Sequence, residues 1–148
     1  VGMIAFKGQK AEILLNITGS LELAEKCLRF LPTGGKTPLA DGLFKAEMLL
    51  RAERIRSPNV IQYMVLVTDG KANVPLKSEN AFNDAAELAD DIYRSGVSSM
   101  VLDTENGYIQ FGFAKKLAES MSSQYIKLND INKNDITDGI RNLKAINE

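Results

Sequence analysis

Two short stretches carry residues whose types and setting could do chemistry. In Pro32-Thr33-Gly34-Gly35-Lys36-Thr37-Pro38-Leu39, a Gly-rich turn presents the Thr37 hydroxyl just before an apolar pattern at Leu39, Leu43, Ala46, Leu49 and Leu50. In Val65-Leu66-Val67-Thr68-Asp69-Gly70, a carboxylate closes an apolar run suited to a buried parallel strand. The carboxyl end of such a strand is where an open α/β sheet delivers its ligands. Thr37 offers a neutral hydroxyl and Asp69 a carboxylate, directly or through water, and both suit Mg²⁺, a hard cation that prefers oxygen and often keeps waters. Each residue also has a plain structural role, Thr37 as a helix N-cap and Asp69 as the cap of its own turn. The metal reading requires the two to meet on the ligand side of the sheet.

Other chemistries are excluded by composition. The chain contains no His and a single Cys, Cys27, which removes His-based catalysis, His ligation and a Cys-cluster zinc site. Gly34-Gly35-Lys36-Thr37 ends like a P-loop, but the preceding Arg29-Phe30-Leu31-Pro32-Thr33 lacks the first glycine of G-x-x-x-x-G-K-[ST] and follows a helix, where a P-loop follows a strand. No nucleophile-base pair is evident.

The elements that must position Thr37 and Asp69 follow from periodicity. Val1 to Phe6 and Ala11 to Ile17 read as two strands joined by the polar turn Lys7-Gly8-Gln9-Lys10, a hairpin. Ser20 caps a helix with Leu21, Leu23, Ala24, Cys27, Leu28 and Leu31 facing inward, and Pro32 helps to stop it. After the Gly-rich turn, a helix runs from about Pro38 to Arg54, with Thr37 as N-cap and Pro38 at its first position. The strand ending at Thr68 follows. A helix over about Ala81 to Ser95 places Ala85, Leu88, Ala89 and Ile92 inward and ends at Gly96. Val97 to Leu102 is a strand, Tyr108 to Phe111 a brief segment, Lys115 to Ser122 part of a helix begun near Gly112 or Phe113, and Gln124 to Leu128 a strand. Asn134 or Asp135 caps a last helix carrying Ile136, Ile140 and Leu143. The order β-β-α-α-β-α-β-α-β-α predicts a three-layer α/β/α domain, a mostly parallel sheet with an antiparallel edge strand.

The 148 residues, 45% of them hydrophobic, suffice for one core and are too few for two ordinary domains. A formal net charge of -1 gives no electrostatic footprint for nucleic acid. The lone Cys27 fits a reducing compartment and a buried apolar role. No apolar run approaches the roughly 20 residues that span a bilayer, and no signal-like run opens the chain, so the expected compartment is cytoplasmic. The opening on Val1, directly in a core-like strand, suggests a start inside a larger product.

Thr33-Gly34-Gly35-Lys36-Thr37-Pro38-Leu39-Ala40-Asp41-Gly42-Leu43, together with Val65-Leu66-Val67-Thr68-Asp69-Gly70-Lys71-Ala72-Asn73, closely resembles the von Willebrand factor A, or integrin I, domain at the C-terminus of the magnesium chelatase D subunit. Val1-Gly2-Met3-Ile4-Ala5-Phe6 with Gly8, and Leu102-Asp103-Thr104-Glu105, add to the match. The resemblance implies a metal-ion-dependent adhesion site built from a D-x-S-x-S motif, a Thr and the Asp of TDG. Here the last two are Thr37 and Asp69. Asp103 and Thr104 resemble the family's DTE segment and are not counted as ligands. No D-x-S-x-S occurs in the chain, so residues 1–148 are expected to be a partial domain lacking the first central strand and helix. Mg²⁺ is then the cofactor of the complete parent, bound weakly or not at all by this fragment. Strands beside the gap would expose unpaired backbone, and the fragment is expected either to bring them together or to self-associate.

What the resemblance implies for function is a non-catalytic protein-interaction module of an ATP-dependent magnesium chelatase, or of a related cobalt chelatase of cobalamin synthesis. Its implied partners are an AAA+ ATPase subunit and the large catalytic subunit that inserts Mg²⁺ into protoporphyrin IX. The alternative is an intracellular adhesion-type A domain unrelated to tetrapyrrole metal insertion.

Overall fold

The computed structural model describes residues 1–29, 35–105 and 111–128. Two compact units are formed, one by Val1–Val60 with Ala72–Leu88 and the other by Ile61–Lys71 with Ala89–Glu148. Leu31, the Tyr108 to Phe111 segment up to residue 110, and the helix expected to carry Ile136, Ile140 and Leu143 lie outside the described residues.

In the first unit, β1 (Met3–Lys7) and β2 (Lys10–Leu15) pair antiparallel, with Lys7 opposite Lys10 and Ile4 opposite Ile13. Gly8 sits in the turn with φ of 76°, a left-handed conformation that glycine takes without strain. The register slips between Met3 and Ile4. Next comes α1 (Leu21–Arg29), whose start is capped as expected: Ser20 Oγ accepts the Leu23 N–H at 3.3 Å. Its apolar face is not buried as expected. Leu21, Leu23 and Leu28 stand exposed and Ala24 alone of this helix is buried. The nine-residue helix rests on β2 through its small residues, with Cys27 half-buried and its thiol directed at the Leu14 carbonyl at 3.7 Å.

The long helix α2 (Leu39–Arg56) buries its first two turns. Leu39, Ala40, Gly42 and Leu43 are inaccessible, while Phe44, Met48 and Ile55 further along are exposed. Its seating on the hairpin is polar as well as apolar. Asp41 Oδ2 accepts the Ala11 N–H at 2.6 Å and pairs with Lys45 Nζ at 2.9 Å, and Lys45 Nζ donates to the Ala11 carbonyl at 2.5 Å. A side chain at Gly42 would stand 2.9 Å from the Phe6 ring, so glycine is what lets helix and strand approach so closely.

In the second unit, β3 (Tyr63–Thr68), β4 (Ser98–Asp103) and β5 (Gln124–Lys127) form a parallel sheet in the order β3-β4-β5. β4 is its central strand and is buried from Ser99 to Asp103. The expectation of a buried strand in the apolar run ending at Val67 fails on one face: Leu66 is buried, as is Thr68 after it, but Val65 and Val67 are exposed. Alternation explains it, because successive side chains face opposite sides and nothing described covers the valine side. α3 (Ala81–Arg94), which belongs to the first unit up to Leu88 and to the second from Ala89, buries Ala85, Leu88, Ala89 and Ile92 as expected. It ends at Gly96, whose φ is 83°. α4 (Phe113–Ser120) buries Ala114, Leu117 and Ala118.

The nine described elements match the first nine of the expected order. The antiparallel pair and the parallel strands form two sheets among the described residues.

Candidate metal-binding rim

Thr37 is positioned by its backbone. Its N–H donates to Asn73 Oδ1 at 2.7 Å, and the Asn73 N–H returns a bond of 3.3 Å to the Thr37 carbonyl. One residue earlier, the Lys36 carbonyl accepts the Gly8 N–H at 2.8 Å. The approach to α2 is thereby tied to the hairpin turn on one side and to the 72–73 segment on the other. The expected cap is corrected here. Pro38, not Thr37, occupies the N-cap position, with φ of -81° and ψ of 63° and no side-chain cap bond. A capping hydroxyl must sit on the N-cap residue to reach the second or third helical N–H, and Thr37 lies one residue too early. Its hydroxyl is therefore not spent on the helix. Asn73, exposed in its loop, thus holds the Thr37 backbone in place through its side-chain amide oxygen.

Asp69 sits at the carboxyl end of β3, in the second unit. Thr68, buried at the strand end, accepts the Gly70 N–H on Oγ1 at 3.0 Å and the Thr104 N–H on its carbonyl at 3.0 Å. Asp69 Oδ1 accepts the Lys71 N–H at 3.0 Å, and Oδ2 pairs with Lys71 Nζ at 2.9 Å. Asp69 thus does cap its own turn, while its side chain stays 31% exposed. Between these residues Gly70 adopts φ of 75°. A Cβ there would lie 2.3 Å from the Ala114 nitrogen and 2.8 Å from the Phe113 carbonyl carbon. No other residue satisfies both demands. The Lys71 ammonium is held above its usual pKa by its hydrogen bond to Asp69 and by the charge of that carboxylate, with a smaller contribution from Glu105.

The acids of the Asp103-Thr104-Glu105 segment have other partners. Asp103 is buried, with Oδ1 accepting the Glu105 N–H at 2.7 Å and Oδ2 accepting the Tyr125 O–H at 2.5 Å. Glu105, also buried, accepts the Phe111 N–H at 2.9 Å and the Gly112 N–H at 3.3 Å. It lies at the start of α4, where unsatisfied N–H groups and the helix dipole favour a negative charge. These carboxylates organise the loops around Asp69.

Thr37 belongs to the first compact unit and Asp69 to the second. Among the described residues, no group of three or more His, Cys, Asp or Glu side chains gathers as metal ligands. Taken by itself, Asp69 is a partly exposed carboxylate fixed on a tight turn, an oxygen donor of the kind that Mg²⁺ takes.

No protein-family model matches the chain. It is 37% identical over 145 residues to the uncharacterised protein MJ0910 of Methanocaldococcus jannaschii, spanning 97% of this chain and 83% of that protein. It is 34% identical over 140 residues to the magnesium-chelatase 67 kDa subunit of Chlorobaculum parvum, spanning 86% of this chain and only 22% of that subunit. Among solved structures, the crystal structure of the SpRpn10 VWA domain superimposes with a TM-score of 0.59 at 15% identity, over 86% of this chain and 63% of that one. That likeness shows the fold. Taken with the sequence relatives, it means that the chain belongs to one family with the M. jannaschii protein, has the von Willebrand factor A fold, and over 86% of its length is similar to part of a magnesium-chelatase subunit.

Proposed function

We propose that the chain is a non-catalytic interaction module of a chelatase D-type subunit, and that Asp69 and Thr37 are two of the oxygen donors of an adhesion-type Mg²⁺ site. The observation that carries this reading is the Asp69 turn. A carboxylate at the carboxyl end of a parallel strand is held rigid by Gly70 wedged against α4, and it keeps a face to solvent. A cation there would be offered to the carboxylate of a partner protein. The proposed partners are an AAA+ ATPase subunit and the large subunit of a magnesium or cobalt chelatase. With a single carboxylate in the donor set, Mg²⁺ binding by these residues alone is weak, and further donors of the D-x-S-x-S type complete the site.

A second reading has its own support. The chain is 37% identical to MJ0910, whose name carries no chelatase role, which leaves room for an intracellular adhesion-type A domain unrelated to tetrapyrrole metal insertion. A capture experiment separates the two. The natural protein that carries this chain, immobilised, is offered purified chelatase ATPase and large subunits, with Mg²⁺ or with a chelator, as wild type and as Asp69→Ala. The first reading predicts capture that needs both Mg²⁺ and Asp69. Absence of capture under every condition favours the second, and capture indifferent to both changes rejects the metal-bridged role.

A further inference from the structure

Asp69 already has a cation on it. Gly70, in its left-handed conformation, folds the chain so that both the backbone N–H and the ammonium of Lys71 return to the same carboxylate, one on each oxygen, at 3.0 Å and 2.9 Å. The two partners differ in freedom. The turn packs closely on the first residues of α4, where even a Cβ at Gly70 would come within 2.3 Å of the Ala114 nitrogen, whereas the Lys71 side chain is 60% exposed on a four-carbon stem. A divalent cation reaching Asp69 therefore meets an ammonium that can leave and a carboxylate that cannot.

We propose that Lys71 is the built-in counter-ion of Asp69, that a divalent cation binds by displacing its ammonium, and that the released ammonium then becomes available to an acidic group of the partner. The inference rests on the reading of Asp69 as a metal donor. It gives the ion pair a purpose beyond stability, since an exposed pair of this kind contributes little to the fold. It also makes metal loading and the exposure of a positive charge one event, so that the cation and Lys71 act in sequence on acidic partners.

Mn²⁺ added to the ¹⁵N-labelled natural protein that carries this chain tests this, because paramagnetic broadening of the Gly70 and Lys71 amide signals reports even weak occupancy of Asp69. Removing the competing ammonium in Lys71→Met lowers the Mn²⁺ concentration needed for half-broadening by about two- to fivefold, the range expected for losing an exposed ion pair. Lys71→Arg, which keeps the charge, restores the wild-type midpoint. In Asp69→Asn the local broadening disappears. An unchanged midpoint in Lys71→Met overturns the counter-ion role while leaving Asp69 as a ligand. Broadening that is absent in wild type, or that survives Asp69→Asn, removes the Asp69 reading and the counter-ion role with it. The dispersion of the same spectra shows whether each variant is folded.

Discussion

At the scale of single residues, Gly70 and Asp84 make the sharpest demands. Any side chain at Gly70 faces a left-handed backbone and a contact of 2.3 Å with backbone, so Gly70→Ala should cost roughly 3 kcal/mol, read from urea denaturation. Asp84 is buried in α3 and accepts the N–H groups of Leu76, Lys77 and Ser78 at 2.7, 2.8 and 3.1 Å. Burial alone pushes its pKa up, but the Ser78 hydroxyl and these backbone donors outweigh burial and hold the carboxyl far below its usual value. A carboxyl with a depressed folded pKa stabilises the fold above its unfolded value, about 3.9, and that stability is lost as pH falls toward the folded pKa. Stability should therefore fall below about pH 4, and Asp84→Asn should flatten this acid limb while lowering stability at neutral pH. Neither the clamp nor the Asn73–Thr37 pairing was legible in the sequence, because both join side chains to backbone across loops of no regular period. Asp69 was legible, since a TDG ending on an apolar run is a local signal.

At the scale of elements, periodicity predicted where helices and strands lie better than which of their faces are covered. Ala85, Leu88, Ala89 and Ile92 of α3 are all buried as their spacing requires. In α1 the same spacing misled, because Leu21, Leu23 and Leu28 mark an amphipathic helix without saying that anything covers it. Substituting Leu21 by Glu should then change stability by less than about 0.5 kcal/mol, whereas Leu43→Ala in the buried start of α2 should cost about 2–5 kcal/mol; thermal melts of the two variants make the comparison. In β4, the Ser99 hydroxyl is buried without a partner among the described residues, an uncompensated cost of about 1–3 kcal/mol. Ser99→Ala should leave the melting temperature unchanged or raise it, and a clear loss of stability would reveal a partner for that hydroxyl.

At the scale of the whole molecule, the side of β3 away from β4, which no described strand pairs, is the feature with most consequence. The Thr68 carbonyl is bonded to Thr104 of the chain leaving β4. In a parallel ladder, alternate residues turn both backbone groups to one neighbour, so Thr68, Leu66 and Met64 face β4 and Tyr63, Val65 and Val67 present theirs outward. Val65 and Val67 also expose their side chains, at 45% and 52%. An apolar strand edge without a partner recruits another strand, and the 148-residue chain should self-associate as its concentration rises. Light scattering after size-exclusion chromatography checks this, with Val67→Lys expected to shift the population toward monomer. The three-layer class was readable from the alternation of elements. The separate pairing of β1–β2 and of β3-β4-β5 was not, because hydrophobic runs do not encode which strands become neighbours.

The central claim is that Asp69 works through a divalent cation to hold a partner protein. Its most direct measurement is the dissociation constant between the natural protein and its captured chelatase subunit, taken for wild type and Asp69→Ala, each at saturating Mg²⁺ and in chelator. A metal-bridged contact predicts that Mg²⁺ tightens the wild-type complex by tenfold or more, on the order of 1.4 kcal/mol, and that Asp69→Ala in Mg²⁺ binds no better than wild type in chelator. Equal tightening by Mg²⁺ in both proteins, or none in either, would contradict it.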